Sequence, residues 1–313
     1  MPDRTAPPVI AIKGLAKTFG HRQVLDGLDL QVARGEVFAL LGPNGAGKTT
    51  TINVLTTLVR PDAGTATVAG IDVARDPEQV KRRISLTGQS AAVDDALTGT
   101  ENVVMLGRLS GLSRRAARAR AAELLERFGM TDAAARRVGT YSGGMRRRLD
   151  LALSFVVAPE VLFLDEPTTG LDTRSRRELW DVIRSLADAG TTVFLTTQYL
   201  EEADHLADCI AVLDGGRIVA TGTAADLKGR IGGDAVELHD VHGALLREVP
   251  TDGSVSGLRR ALDVLDESGA EGVVTLRRPS LDDVFLALTS PDGHGERAHT
   301  RAATAPDTAK ELA

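Results

Sequence analysis

Residues 42–50 read GPNGAGKTT, with Gly42, Pro43, Asn44, Gly45, Ala46, Gly47, Lys48, Thr49 and Thr50 in the spacing G-x-x-x-x-G-K-[ST]. The segment follows the apolar run EVFALL at 36–41 and opens the helical-looking KTTTINVLTTL. In that strand–turn–helix context the glycines allow backbone N–H groups to turn inward around phosphate oxygens. Lys48 reaches the terminal phosphates and the Thr49 hydroxyl offers a ligand to Mg²⁺. A second apolar run, VLFLDEP at 161–167, ends in two acids. Asp165 at a strand terminus suits holding Mg²⁺ through water, and Glu166 beside it suits activating an attacking water as general base.

Two further segments carry candidate chemistry. TYSGGMRRRLDLAL at 140–153 sets Ser142, Gly143 and Gly144 before a helical pattern, leaving backbone N–H groups exposed at a helix start, a second anion site on one chain. FLTTQYLEEAD at 194–204 places Gln198 between a buried-looking strand and an acidic helix. Its side-chain amide is a hydrogen-bond donor at a place where a strand terminus needs none.

These residues need a frame to position them. The short apolar runs 36–42, 160–167, 191–198 and 209–216 lack polar alternation and end in polar or glycine-rich residues. Such runs suit strands covered on both faces, and the helical segments between them predict an α/β fold with a parallel sheet whose functional residues collect at strand C-termini. From about 95 to 157 the pattern is helical, with Ala117, Ala121, Leu124 and Phe128 on one helix face. Arg114, Arg115, Arg118 and Arg120 there read as a solvated face. Residues 231–290 predict a small α+β accessory domain, and 291–313 a disordered tail with almost nothing to bury.

Length and composition bound the function. The 313 residues allow roughly two domains at about 150 residues each, and 42% hydrophobic content supports a sizeable core. A net charge of -6 argues against a general nucleic-acid binder, so no nucleic-acid partner is expected. The single cysteine, Cys209, lies in an apolar stretch and reads as a buried small side chain. No apolar run approaches the ~20 residues of a membrane span and the first residues lack a secretory signal, so a soluble cytoplasmic chain is expected.

Taken in order, the motifs over about residues 9–228 resemble the ATP-binding-cassette family of transport ATPases. GPNGAGKTT resembles the Walker A loop, SLTGQS with Gln89 the Q-loop, YSGGM the signature, VLFLDEP Walker B, GLD with Asp172 the D-loop, and TTQ the switch. The resemblance implies a P-loop NTPase core with an all-helical signature subdomain, using ATP and Mg²⁺. It implies Thr49, Gln89 and Asp165 at the metal, and Phe19 in KTFG stacking on adenine. It also implies a head-to-tail homodimer in which Ser142 and Gly144 of one subunit close on the γ-phosphate held by Lys48 of the other.

Two departures from the family pattern are informative. Met145 stands where the signature commonly has Gln, and Gln198 where the switch commonly has His. Both variants, with the closing PSLDDVFLALT, resemble the daunorubicin-type drug-resistance branch. That implies an exporter ATPase on the cytoplasmic face of the membrane, working with a separate integral-membrane permease that docks near Gln89 and the following DDALTGTENV. Gln198 would then donate to the γ-phosphate. The alternatives are a soluble member of the family acting on ribosomes or DNA, an exporter of a lipid or other non-drug substrate, and a non-hydrolysing regulatory subunit. The last is disfavoured by the presence of Lys48, Asp165 and Glu166.

Overall fold

The computed structural model describes residues 7–88, 93–267 and 271–289. The chain divides into two compact units, Met1–Ala224 and Ala225–Ala313. In the first unit the chain opens with β1 (Ile10–Phe19), β2 (Arg22–Val32), β3 (Val37–Leu41), α1 (Lys48–Leu55), β4 (Ala63–Val68), β5 (Ile71–Asp72), α2 (Pro77–Lys81) and β6 (Ile84–Thr87). Three α-helices follow, α3 (Gly99–Leu109), α4 (Arg114–Arg127) and α5 (Gly143–Ser154). The unit closes with β7 (Val161–Asp165), α6 (Thr173–Asp188), β8 (Thr192–Thr197), α7 (Leu200–Leu206), β9 (Cys209–Asp214) and β10 (Arg217–Gly222). A last helix, α8 (Ala224–Gly229), starts at the boundary between the units.

The central sheet runs β10-β9-β3-β8-β7-β6. Its strands β9, β3, β8, β7 and β6 are mutually parallel, and β10 is an antiparallel edge. Strands β3 and β7 are buried at every position, the signature of strands with both faces covered. Phe38, Phe194 and Phe163 lie in register across β3, β8 and β7, with ring centroids 5.4 and 5.6 Å apart. Each such pair contributes about 0.5–1.5 kcal/mol beyond burial, and together they hold the strand ends that carry the site. Cys209 is buried, as its apolar context predicts.

A separate antiparallel sheet, β2-β1-β4-β5, is an element that the reading of apolar runs did not contain. Its strands β1 and β2 alternate buried and exposed positions, so they carry no continuous apolar run to flag them. The three α-helices α3, α4 and α5 occupy the segment read as helical. On α4, Ala117, Ala121, Leu124 and Leu125 face inward while Arg114, Arg115 and Arg118 are exposed. Among the described residues no helix is long and apolar enough to cross a membrane.

In the second unit β11 (Ala235–His239), β12 (Leu245–Pro250) and β13 (Val273–Arg277) form an antiparallel sheet ordered β12-β11-β13. The helix α9 (Val255–Asp266) packs Ala261 and Leu265 onto Val236 and Leu238, and α10 (Leu281–Thr289) follows. The expected tail 291–313 lies outside the described residues.

Candidate nucleotide site

The loop between β3 and α1 is built by close approach. A Cβ on Gly42 would lie 2.4 Å from the Leu213 carbonyl oxygen. Gly47 has φ 113, and its Cβ would sit 2.7 Å from Leu25 Cδ2. Only glycine fits the second position on both counts. The loop delivers Lys48 to the first position of α1, 4% exposed. Its Nζ donates to the carbonyls of Gly42 at 2.8 Å and Pro43 at 3.1 Å, and pairs with Glu166 Oε1 at 3.4 Å. Asn44, Gly45, Gly47, Lys48, Thr49, Thr50 and Glu166 line an open cleft of about 450 Å³, with Arg22 and Val24 from β2 as the facing wall.

Strand β7 ends at Asp165, which is buried. Its Oδ1 accepts from Thr196 Oγ1 at 2.6 Å and from Thr49 Oγ1 at 3.3 Å. Two hydroxyls and a carboxylate, from the first turn of α1 and from the ends of the neighbouring strands β8 and β7, therefore meet at one point. The next residue, Glu166, has φ 48, which is unusual for a side chain with a Cβ. Its N–H is held by the Thr196 carbonyl and hydroxyl, both at 3.1 Å. The strained backbone turns the Glu166 carboxylate out of the strand line and towards Lys48.

Ser142 caps α5, its Oγ accepting from Met145 N–H at 3.3 Å. Gly143 lines a different cleft, with Arg146, Arg147, Pro167, Thr169, Gly170 and Leu171. Glu166 lines both clefts; Ser142 and Gly144 line neither. Gly144 is buried, and a Cβ there would lie 2.6 Å from Ser175 Oγ in the first turn of α6. That helix is capped by Asp172, whose carboxylate accepts from Ser175 N–H at 2.8 Å and Ser175 Oγ at 3.0 Å. These bonds hold the Asp172 carboxyl below the usual range, the Ser175 backbone N–H being the largest cause. Asp172 thus sits at the start of the helix against which the SGG segment packs.

Gln198 lies one residue beyond β8, half-buried, before α7. Phe19 ends β1, 49% exposed, opposite Arg22 in the hairpin register. Arg22 in turn donates to the Gly45 carbonyl at 3.5 Å, which ties that hairpin to the phosphate loop. Gln89 lies outside the described residues. The sequence reading missed three participants. Arg22 stood in an unremarked hairpin and Thr196 in a motif read for its glutamine. Arg147 sat among arginines with nothing local to mark it as buried.

One buried acid stands behind the site. Glu202 of α7 is fully buried and accepts from Trp180 Nε1 at 3.1 Å. Burial pushes its carboxyl up, against the opposing pull of the neighbouring polar groups.

The match to known proteins extends over the whole arrangement. Residues 25–169 match the family model described as ABC transporter. A daunorubicin resistance ATP-binding protein of Streptomyces coeruleorubidus is 52% identical over 308 residues, covering 92% of this chain and 98% of that protein. A Nod factor export ATP-binding protein of Burkholderia orbicola is 39% identical over 90% of this chain and 96% of its own length. A solved structure of an ATP-binding subunit of an ABC transporter superposes with a TM-score of 0.62 at 28% identity, over 71% of this chain and 92% of that one.

Proposed function

The chain belongs to the ABC transporter family, and we propose that it is the ATP-hydrolysing subunit of a drug exporter whose membrane-spanning part is a separate protein. The observation that carries the reading is the convergence of Lys48 and Thr49, in the first turn of α1, with Asp165 and Glu166 at the C-terminal end of β7. In this reading ATP lies along the phosphate loop, its phosphates taking up the Lys48 ammonium that now rests on the Gly42 and Pro43 carbonyls. The exposed Phe19 ring offers a face to adenine. Glu166 accepts a proton from the attacking water, and Gln198 donates its amide to the γ-phosphate.

The donor set fits Mg²⁺. Thr49 Oγ1 and Asp165 Oδ1 are hard oxygen donors 3.3 Å apart; Gln89, which the family motif adds to them, lies outside the described residues. No group of three or more His, Cys, Asp or Glu suited to a metal occurs among the described residues. A cation that takes one or two protein oxygens and completes its shell with phosphate oxygens and water matches this arrangement. Bound there, Mg²⁺ would neutralise phosphate charge and align the oxygens.

Ser142 and Gly144 lie outside the phosphate cleft of their own chain, so one chain supplies only part of the set that the family motif uses. A second copy packed head to tail supplies the rest. The permease docks near Gln89 and the segment after it, where Asn102 is buried and ties α3 to the Asp94 carbonyl at 3.0 Å. The assembly places this chain peripherally on the cytoplasmic face of the membrane. The daunorubicin-named relative, at 52% identity, supports a drug as cargo. The Nod factor export relative, at 39%, supports the second reading, an exporter of a lipid or other non-drug substrate.

The test is ATPase activity and drug efflux measured with the chain alone, its candidate membrane subunit alone, and both together. Efflux only when both are present, lost with Lys48→Ala, is the expected result. ATP hydrolysis without efflux of any tested drug removes the drug assignment. No hydrolysis in any combination removes the enzyme reading.

A further inference from the structure

Arg147 is a cation almost closed off from solvent, with its side chain 8% exposed. A guanidinium in that position requires acceptors on every edge, because an unpaired buried charge is strongly destabilising. It finds four. Nε donates to the Pro167 carbonyl at 2.9 Å, and Nη2 to the Asp165 carbonyl at 3.5 Å. Nη1 donates to the Gly88 carbonyl at 2.6 Å and pairs with Asp150 Oδ2 at 3.3 Å within α5.

The first two contacts single the residue out. Asp165 and Pro167 flank Glu166, so one planar fork holds the carbonyl before and the carbonyl after the residue with φ 48. A side chain in the left-handed region is strained and persists only where the surroundings over-determine it. The Glu166 N–H is held from β8 by Thr196, and its two neighbouring carbonyls are held from α5 by Arg147. The grip is therefore two-sided, and lysine could not reproduce it, since a point ammonium lacks the fork.

We propose that Arg147 is a positioning residue for the Glu166 carboxylate, fixing the backbone on either side of it so that the carboxylate faces the phosphate cleft. The helix that carries Arg147 begins at Ser142, so the same element couples the SGG segment to the aim of Glu166. This inference rests on the hydrolytic reading of Glu166 given above.

The experiment compares the wild type, Arg147→Lys, Glu166→Gln and the double variant. Each is assayed for hydrolysis, for affinity towards a fluorescent ATP analogue and for thermal midpoint. Arg147→Lys is expected to lower kcat by roughly 10–10²-fold, the cost of a ~1 Å misplacement, with affinity within about threefold of wild type. In the Glu166→Gln background the same substitution is expected to change the residual rate by less than about threefold, because the group it positions is already disabled. Arg147→Gln is read in parallel in case the lysine variant does not fold.

Wild-type turnover in Arg147→Lys overturns the proposal. So does an equal loss in both backgrounds, which would mean that Arg147 acts other than through Glu166. A parallel fall in affinity and thermal midpoint, or failure of both variants to fold, reduces Arg147 to a structural brace. Absence of hydrolysis in the wild type instead removes the reading of Glu166 on which the proposal stands.

Discussion

Lys48 Nζ lies 3.4 Å from Glu166 Oε1, so the cation that would hold the terminal phosphates and the acid that would activate water are partnered with each other. In the proposed function the phosphates compete with this carboxylate for the Lys48 ammonium. Lys48→Ala should weaken ATP affinity by roughly 10–10²-fold, the worth of one charge-assisted contact of about 1.5–3 kcal/mol. Glu166→Gln keeps a neutral partner for Lys48 but removes the base, so ATP should still bind while hydrolysis falls by roughly 10²–10⁴-fold. Titration with a fluorescent ATP analogue beside a phosphate-release assay separates the two. Normal turnover by Glu166→Gln would remove its role as base.

Gly144 cannot carry a side chain without meeting Ser175 of its own chain, so substitutions there mix folding with function. Ser142 offers a cleaner probe of the composite site. It is exposed and caps α5, and glycine at an N-cap costs only a few tenths of a kcal/mol. Ser142→Gly should therefore leave the thermal midpoint nearly unchanged while slowing hydrolysis. Mixing Ser142→Gly with Lys48→Ala subunits should restore part of the activity, because one of the two sites in a heterodimer then keeps both residues. No recovery on mixing would count against the head-to-tail arrangement.

Gln198 lies just past β8, whose Thr196 touches Asp165. Gln198→Ala should slow hydrolysis more than it weakens ADP binding, since ADP lacks the contacted group. Gln198→His should retain activity and acquire a pH dependence near ~6.5 that the wild type lacks. Rate profiles of the variant and wild type at matched pH and Mg²⁺ decide this. Identical profiles would leave Gln198 with no part in contacting the phosphate.

Glu202 provides the pH prediction. Its carboxyl is raised by burial above the ordinary value of 4.5, so between that value and its folded-state value the native chain binds a proton that the unfolded chain has lost. Stability from this group therefore falls as pH rises through that window. Glu202→Gln preserves an oxygen for Trp180 Nε1 and removes the titration. Its thermal midpoint should match or exceed that of wild type, with the difference growing as pH rises above 4.5. A constant loss of stability across that range would show that the carboxylate is ionised in the fold.

The sequence by itself determined the elements whose information is local. The phosphate motif spans nine residues, from the end of a buried strand into the first turn of a helix, and its spacing marks it without reference to Leu213 and Leu25, the distant residues its glycines make room for. Apolar runs marked β3, β7, β8 and β9, since a strand covered on both faces needs no polar alternation. The antiparallel sheet of β1, β2, β4 and β5 went unread because its alternating strands spread their apolar residues thinly.

Tertiary structure alone decided which motifs meet. Thr49 and Asp165 are 116 residues apart, and their contact depends on β8 standing between β3 and β7, a strand order that no local pattern encodes. The positive φ of Glu166, the closure of Gly144 on Ser175 and the two-sided hold of Arg147 on the residues flanking Glu166 are of the same kind. Each is a short-range force between groups that only the packed sheet and its helices bring within reach.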